Sequence, residues 1–187
     1  MNAVHMAQRM TADEYLAMQY DGTRTELVGG EVIVTQPTLR HQNITVIMVA
    51  ALRAWTTAAT GRGLASAPID VKLDERDVFA PDVMWYAERR KPPLDEGRPY
   101  PVPDIAVEVR SPSTWSYDLG AKWFAYERAG LAELWLVDTA ARTIIVCRRG
   151  SSTARTFDVL LEVAEGEQLT SPQLPGFALD VASLFAD

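Results

Sequence analysis

The sequence predicts an α/β fold in which helices flank a mixed β-sheet. Three candidate strands follow one another without an intervening helix, and a long helix then leads into a fourth strand. Consecutive strands favour antiparallel pairing, whereas a helix between two strands permits a parallel crossover connection. The core order is therefore helix, strand, strand, strand, helix, strand. The length of 187 residues suits one core, so we expect a single domain over residues 1–187.

Two elements are predicted before this core. Thr11 and Glu14 form the capping-box pattern of a helix start, which predicts a short helix through about Tyr20. Residues 25–35 are typical of a β-hairpin, because the Gly-Gly pair at 29 and 30 lies between two apolar runs and can take the tight turn.

The core itself begins with a helix over about 41–59, whose apolar residues recur at helical spacing. A second long helix is expected over about 116–129 and ends before Gly130, the residue type that commonly follows a helix. Weaker β patterns and a short helix near 181–185 complete the chain as C-terminal additions. The predicted core strands lie at residues 64–73, 78–86, 104–110, 133–138 and 142–148.

The composition argues against several classes of protein. No apolar run approaches the roughly 20 residues of a membrane helix, and the first residues lack the apolar stretch of a signal peptide. We therefore expect a cytoplasmic protein without a membrane partner. With one cysteine, Cys147, and two histidines, the chain can form neither an internal disulfide nor a Cys/His zinc site.

The net charge of −7 is the main evidence against a nucleic-acid partner, because Lys and Arg provide most affinity for phosphates. A cluster of metal-binding carboxylates would account for part of this charge, since a bound cation offsets it.

Two carboxylates on neighbouring predicted strands are the candidate metal ligands. Glu108 alternates with apolar residues in its strand, and Asp82 follows Pro81 inside the apolar run of the preceding strand. If the strands pair, the two carboxylates can lie side by side, and they repel each other unless they share a proton or a cation. Mg²⁺ takes oxygen ligands, so two carboxylates and a backbone carbonyl, that of Val109, suit Mg²⁺ or Mn²⁺.

Each of these residues also has a structural alternative. Asp82 could be an ordinary turn residue after a proline, and Glu108 could form an ion pair with Arg110 or Lys122. Asp118 and Lys122 have the spacing of a surface ion pair on one helix.

A succession of short motifs nevertheless resembles a known family. In chain order the motifs are Glu26-Leu-Val-Gly-Gly-Glu-Val, His41, Pro81-Asp82, Glu108-Val-x-Ser-Pro-Ser-Thr114, Asp118-x-x-x-Lys122, Tyr126-x-x-x-Gly130, Trp135-Leu-Val-Asp138 and Leu174-Pro-Gly176. Over about residues 10–185 this order resembles the Uma family of restriction endonucleases, within the PD-(D/E)xK nuclease superfamily. The resemblance implies a restriction-endonuclease-like fold and metal-dependent hydrolysis of DNA.

The resemblance also implies roles for individual residues. Arg110 stands where the superfamily usually has lysine, and because arginine stays protonated it can bind phosphate but cannot act as a base. Family members commonly have a lysine on the next helix, and Lys122 matches it. Lys122 is therefore expected to be the catalytic lysine and Arg110 an auxiliary group. His41 and Glu26 join the expected site through the family match alone.

We therefore predict a Mg²⁺-dependent endonuclease with DNA as its substrate. A second hypothesis is a catalytically weak or inactive nucleic-acid-binding module of the same fold. The acidic composition and the arginine at position 110 favour it. A third is a hydrolase of small phosphate esters. A homodimer would suit an enzyme that cuts both strands, although the sequence does not decide this.

Overall fold

The computed structural model of the protein describes residues 9–19, 21–111 and 115–186. Within these ranges the α-helices are α1 (Ala12–Leu16), α2 (Leu39–Thr57), α3 (Trp115–Tyr117), α4 (Trp123–Arg128) and α5 (Ala182–Phe185). The strands are β1 (Thr25–Val28), β2 (Glu31–Val34), β3 (Leu64–Ser66), β4 (Val71–Lys72), β5 (Val78–Phe79), β6 (Val83–Tyr86), β7 (Ile105–Val109), β8 (Glu133–Asp138), β9 (Thr143–Arg148), β10 (Val159–Ala164), β11 (Gln168–Leu169) and β12 (Leu179–Asp180).

The predicted capping box and hairpin are both present. Thr11 Oγ1 accepts a hydrogen bond from the Glu14 amide, and the Glu14 carboxylate accepts one from the Thr11 amide. α1 ends at Leu16 and residues 17–19 are not helical, so the predicted extent through about Tyr20, itself outside the described residues, is wrong by a few residues. β1 and β2 pair antiparallel, and the two turn glycines have φ of 57° and 82°, left-handed values that suit glycine.

A six-stranded mixed sheet forms the centre of the fold. Its strand order is β10-β9-β8-β7-β6-β3, with β7 and β8 parallel and the other neighbours antiparallel. α3 and α4 lie in the connection between the two parallel strands, as a crossover requires. The predicted mixed sheet with one helical crossover is confirmed.

The boundaries of two predicted strands are wrong, because each is divided in two. The run 64–73 separates into β3 and β4, and the run 78–86 separates into β5 and β6. Pro68 and Pro81 lie at the breaks, and proline lacks the N–H that a strand ladder needs. β4 and β5 leave the large sheet and pair with the hairpin, in the order β2-β1-β5-β4. Asp82 thereby lies where the chain passes from one sheet to the other.

The two faces of the large sheet bury separate apolar clusters. Val107 and its neighbours on one face pack against Ile44 and Met48 of α2, while Ala106 on the other face packs with Phe79 and Tyr126. Because side chains alternate along a strand, Glu108 shares the second face, beneath α4 and the small sheet.

The predicted helix over 116–129 contains a π-helical turn. Residues Asp118–Lys122 form this turn between α3 and α4. Part of the Ser-Pro-Ser-Thr motif, residues 112–114, lies outside the described ranges. Among the described helices, none combines the length and apolar character that a membrane span requires.

Candidate active site

The strand register brings the two predicted metal-ligand carboxylates together. β6 and β7 pair Val83 with Val107, and one further step along this antiparallel register places Asp82 opposite Glu108. Directly opposed residues project from the same face of a sheet. Both side chains line one cavity and are almost fully buried, with 3% and 4% of their surfaces exposed.

Asp82 is held by three hydrogen-bond donors. Arg24 Nη2 donates to Oδ1 over 2.9 Å, and the Val109 amide donates to Oδ2 over 2.9 Å. His41 Nε2 lies 3.0 Å from Oδ2. Burial would raise the pKa of Asp82, but His41, Arg24 and the Val109 amide together hold it below its ordinary value. Asp82 is therefore an ionised carboxylate at neutral pH.

The pKa of Glu108 is shifted in the opposite direction from that of Asp82. Its Oε1 accepts a hydrogen bond from the Tyr126 hydroxyl at 2.5 Å and lies 2.7 Å from Lys122 Nζ. Burial, together with the nearby carboxylates, raises the pKa of Glu108 to about 8 against the lowering effect of Lys122. Without a bound cation, Glu108 is thus mainly protonated at neutral pH.

Lys122 lies among three carboxylates. Its Nζ is 2.7 Å from Glu108, 3.1 Å from Glu26 Oε2 and 3.2 Å from Asp118 Oδ1. Burial would lower the pKa of Lys122, but the three acidic groups raise it well above its ordinary value. The amine is therefore a charged donor and does not serve as a base.

Two local features bring Lys122 to this position. The π-helical turn contains both Asp118 and Lys122, and their side chains are both buried. Such turns are rare and recur at functional sites. Glu26 on β1 approaches from the small sheet, where its Oε1 also accepts a hydrogen bond from the Ala80 amide at 2.8 Å. The site thus joins the hairpin, the central sheet and the crossover helix.

His41 reaches the cavity from the first turn of α2. Thr38 Oγ1 accepts the His41 amide at 3.2 Å and so caps the helix start. The imidazole is 4% exposed, and its Nδ1 has no hydrogen-bond partner among the described residues. His41 therefore orients Asp82 through Nε2.

Arg110, the expected auxiliary group, is not brought to the cavity. Its Nη1 lies 2.7 Å from Asp138 Oδ1, and its guanidinium carbon lies 5.5 Å from the centre of the Trp115 ring. The parallel register pairs Val109 with Val137, so the next residues, Arg110 and Asp138, end beside each other. The expected phosphate contact of Arg110 finds no support in this placement.

Two contributions to the site were not predicted from the sequence. Arg24 was missed, although it lies two residues before Glu26, and this spacing puts both on one face of an extended segment. The hydrogen bond from Tyr126 to Glu108 was missed as well, although Tyr126 is part of a recognised motif. Asp118, which has the sequence spacing of an ion pair with Lys122, contacts the Lys122 amine directly.

The groups that could hold a metal are Asp82, Glu108 and the backbone of Val109, which all line the cavity. The free volume of the cavity is about 20 Å³, enough for one species the size of a water molecule. Among the described residues, no group of three His, Cys, Asp or Glu side chains has the arrangement of a metal site. Any cation would therefore need backbone, solvent or substrate oxygens as further ligands.

Comparisons with known proteins agree with this fold. A crystal structure described as a putative nuclease belonging to DUF820, from Anabaena variabilis, resembles the chain with a TM-score of 0.77 and 17% identity. The match covers 94% of this chain and 97% of that one. No curated protein matches the chain significantly. The family model Uma2, described as "Putative restriction endonuclease", matches residues 12–182. Because that match spans most of the sequence, the chain belongs to the Uma2 family and has the fold of a nuclease.

Proposed function

We propose that this protein is a Mg²⁺-dependent endonuclease that hydrolyses DNA phosphodiester bonds in the cavity around Asp82, Glu108 and Lys122. The observation that carries the proposal is an excess of buried negative charge. Four carboxylates line the cavity, against the two permanent cations of Arg24 and Lys122. Buried carboxylates need a proton or a cation as compensation. The family and the fold support a nuclease independently of this charge count.

The residues present fit a divalent cation. Glu108, with its pKa of about 8, carries the compensating proton when no cation is bound. A cation near Asp82 and Glu108 would replace that proton. Mg²⁺ accepts oxygen ligands and retains several waters, so Asp82, Glu108 and the Val109 carbonyl would suffice to hold it, and Mn²⁺ could use the same set.

The other residues have distinct roles in the proposed reaction. A bound Mg²⁺ would acidify a coordinated water and offset charge on the phosphoryl oxygens. Lys122 is charged, so it contacts the phosphate and stabilises the charge that develops there. Glu26 and Asp118 hold Lys122 in place. Arg24 and His41 orient Asp82, and Tyr126 holds Glu108.

Substitution of Asp82 by Ala tests the proposal directly. We expect Mg²⁺-dependent cleavage, measured on both single-stranded and plasmid DNA, to fall by at least about 100-fold. Asp95→Ala is the matched control, because Asp95 is an exposed aspartate outside the cavity. Unchanged cleavage by Asp82→Ala would reject the assignment.

A binding module without catalysis is the second candidate. The observation that favours it is the complete enclosure of Lys122 by Glu26, Glu108 and Asp118, which leaves a phosphate to compete with three carboxylates. Calorimetric titration with Mg²⁺ separates the two functions. The nuclease takes up metal in a manner that depends on Asp82, whereas an inactive binding module binds DNA without such uptake.

Three further properties belong to the proposal. We propose that residues 1–187 form one domain, that the protein acts in the cytoplasm, and that it forms a homodimer when it cuts both strands. Sedimentation analysis with and without DNA tests the homodimer.

A further inference from the structure

A second pocket adjoins the proposed catalytic cavity and shares Arg24 with it. We call it the Arg24 pocket; its lining includes Tyr15, Thr23, Arg24, Arg98 and Tyr100. Its volume is about 370 Å³, which is within the range of small-ligand sites. The pocket therefore has room for a group much larger than an ion or a water molecule.

The Arg24 side chain forms the boundary between the two cavities. It contacts Ala80 O at 3.2 Å and Asp82 Oδ1 at 2.9 Å, and both contacts use Nη2. Ala80 also lines the Arg24 pocket, and Asp82 lines the catalytic cavity. The guanidinium has further N–H groups at Nε and Nη1, and these donate no hydrogen bond to the described residues. A ligand that spans both cavities would pass the Arg24 side chain, which lines both.

The chemistry of the Arg24 pocket suits a nucleotide. Tyr100 is partly exposed and provides an aromatic ring beside the buried Tyr15, and base–aromatic stacking does not depend on base identity. Arg24 and Arg98 provide two cations, and each has one carboxylate partner: Asp82 lies 2.9 Å from Arg24, and Asp70 lies 2.5 Å from Arg98. The pocket is thus close to neutral in a chain whose net charge is −7, and it repels a phosphate less than the acidic catalytic cavity does.

The concave surface continues beyond this pocket. A depression of about 310 Å³ shares Tyr15, Thr23, Thr25 and Arg98 with the Arg24 pocket. The catalytic cavity, the Arg24 pocket and this depression are therefore connected through shared side chains. An extended chain of nucleotides matches such a row of cavities better than a compact ligand does.

We propose that the Arg24 pocket binds one unpaired nucleotide beside the scissile phosphate, and that Arg24 contacts the backbone between them. The substrate class is then single-stranded or locally unpaired DNA, because a base inside a duplex is stacked and cannot enter a concave pocket. This inference rests on the proposed nuclease function and specifies its substrate.

The test measures binding without catalysis. A fluorescently labelled 12-nucleotide single strand, and the same strand annealed to its complement, are titrated with the full chain in EDTA, and anisotropy is recorded. Thr23→Glu places a bulky negative group in the Arg24 pocket at an exposed position. Thr60→Glu is the matched control, because Thr60 is exposed beyond the opposite end of α2 from His41.

We expect the wild type to prefer the single strand. Thr23→Glu weakens single-strand binding about tenfold, the scale of one lost stacking contact, and Thr60→Glu changes it by less than about twofold. Arg98→Gln, which removes one cation and keeps a polar side chain, weakens binding in the same direction. Circular dichroism confirms that each variant is folded.

Three outcomes overturn the inference: no binding of either probe by the wild type, equal affinity for single strand and duplex, or equal loss in the two glutamate variants. Hydrolysis of bis(p-nitrophenyl) phosphate by the wild type with Mg²⁺ or Mn²⁺ tests the nuclease proposal separately, because this small diester carries no neighbouring nucleotide. A failed nuclease proposal is therefore distinguishable from a failed substrate assignment.

Discussion

The folded protein does not fully stabilise the ionised form of Glu108 unless a cation is bound. Its pKa is raised from 4.5 to about 8, chiefly by burial, although Lys122 lies 2.7 Å away. The folded, metal-free chain therefore holds a proton that the unfolded chain releases above pH 4.5. The stabilisation from this proton is complete below the unfolded pKa and is lost as pH rises through the folded value.

The direction of this change with pH gives a prediction for Glu108→Gln, which replaces the acid by a neutral side chain of similar shape. In EDTA, the wild type should lose more thermal stability than the variant between about pH 5 and about pH 8, because only the wild type must release this proton. Thermal unfolding followed by circular dichroism measures the two differences. Equal losses would show that Glu108 does not titrate in this range.

A second prediction concerns Lys122 and distinguishes a role in folding stability from a role in cleavage. Lys122→Met leaves three buried carboxylates without their shared cation, and removal of one partner from a buried ion pair costs about 3–5 kcal/mol. Urea denaturation should show a loss of this order. Adding Glu26→Gln should restore part of the stability, since one buried charge is then removed, but should not restore cleavage.

The result for that double variant decides the role of Lys122. Cleavage that returns together with stability would mean that Lys122 only holds the fold together. Cleavage that stays absent in a folded double variant supports contact with the phosphate.

At the residue scale, the sequence predicted which charged residues lie at the site better than it predicted which groups they pair with. Asp82, Glu108, Lys122, His41 and Glu26 all line the cavity. Arg110 was expected at the site because it follows Glu108 by two residues in the strand motif, but it lies just beyond the end of β7, where Asp138 of the parallel neighbour offers an ion pair. Alternation predicts the face of a residue within a strand and does not predict its partner beyond the strand end.

At the element scale, helix and hairpin predictions held where the local signal was strong. The capping box at Thr11 and the Gly-Gly turn at 29 and 30 have local physical causes and were confirmed. The division of the two long strand runs was missed, because apolar alternation continues across Pro68 and Pro81. The π-helical turn at Asp118–Lys122 has no pattern of its own in the sequence, since it depends on packing around Lys122.

The start of β3 yields a prediction about a single glycine. Gly63 has φ of 77°, and a Cβ atom there would lie 2.0 Å from the backbone oxygen of Tyr86. Gly61 has φ of 79°, but a Cβ atom there would meet nothing within 4 Å. An alanine would be strained by the positive φ at both positions, but it would clash with a neighbouring atom only at position 63.

Both alanine variants should therefore be less stable than the wild type, by different amounts. Gly61→Ala should cost about 1 kcal/mol, the usual penalty for a side chain in this conformation. Gly63→Ala should cost at least about 2 kcal/mol more, because the contact between β3 and β6 must open to admit the methyl group. Urea denaturation of both variants measures the difference, and equal costs would mean that β3 adjusts without loss.

At the scale of the whole molecule, the mixed sheet and its crossover followed from the order of elements, and the family followed from the order of motifs. The small second sheet did not follow, because β4 and β5 contribute only two residues each, and the pairing of β5 with β1 and β4 is set by tertiary contacts. This sheet matters for the site, since it carries Glu26 and places Arg24 against Asp82. The site therefore depends on how two sheets meet, which local sequence patterns do not encode.

Because the site joins these two sheets, occupation of the metal site should stabilise the entire fold. A ligand that binds only the folded state raises its stability by about 2.7 kcal/mol at a concentration 100 times the dissociation constant. We expect Mg²⁺ to raise the melting temperature of the wild type in one cooperative transition, seen alike by circular dichroism and tryptophan fluorescence. In Asp82→Ala the starting stability falls too, because Arg24 and His41 lose their partner, so the informative quantity is the change on adding Mg²⁺. That change should vanish in Asp82→Ala and persist in Asp95→Ala, and an equal rise in both variants would place the cation somewhere other than this cavity.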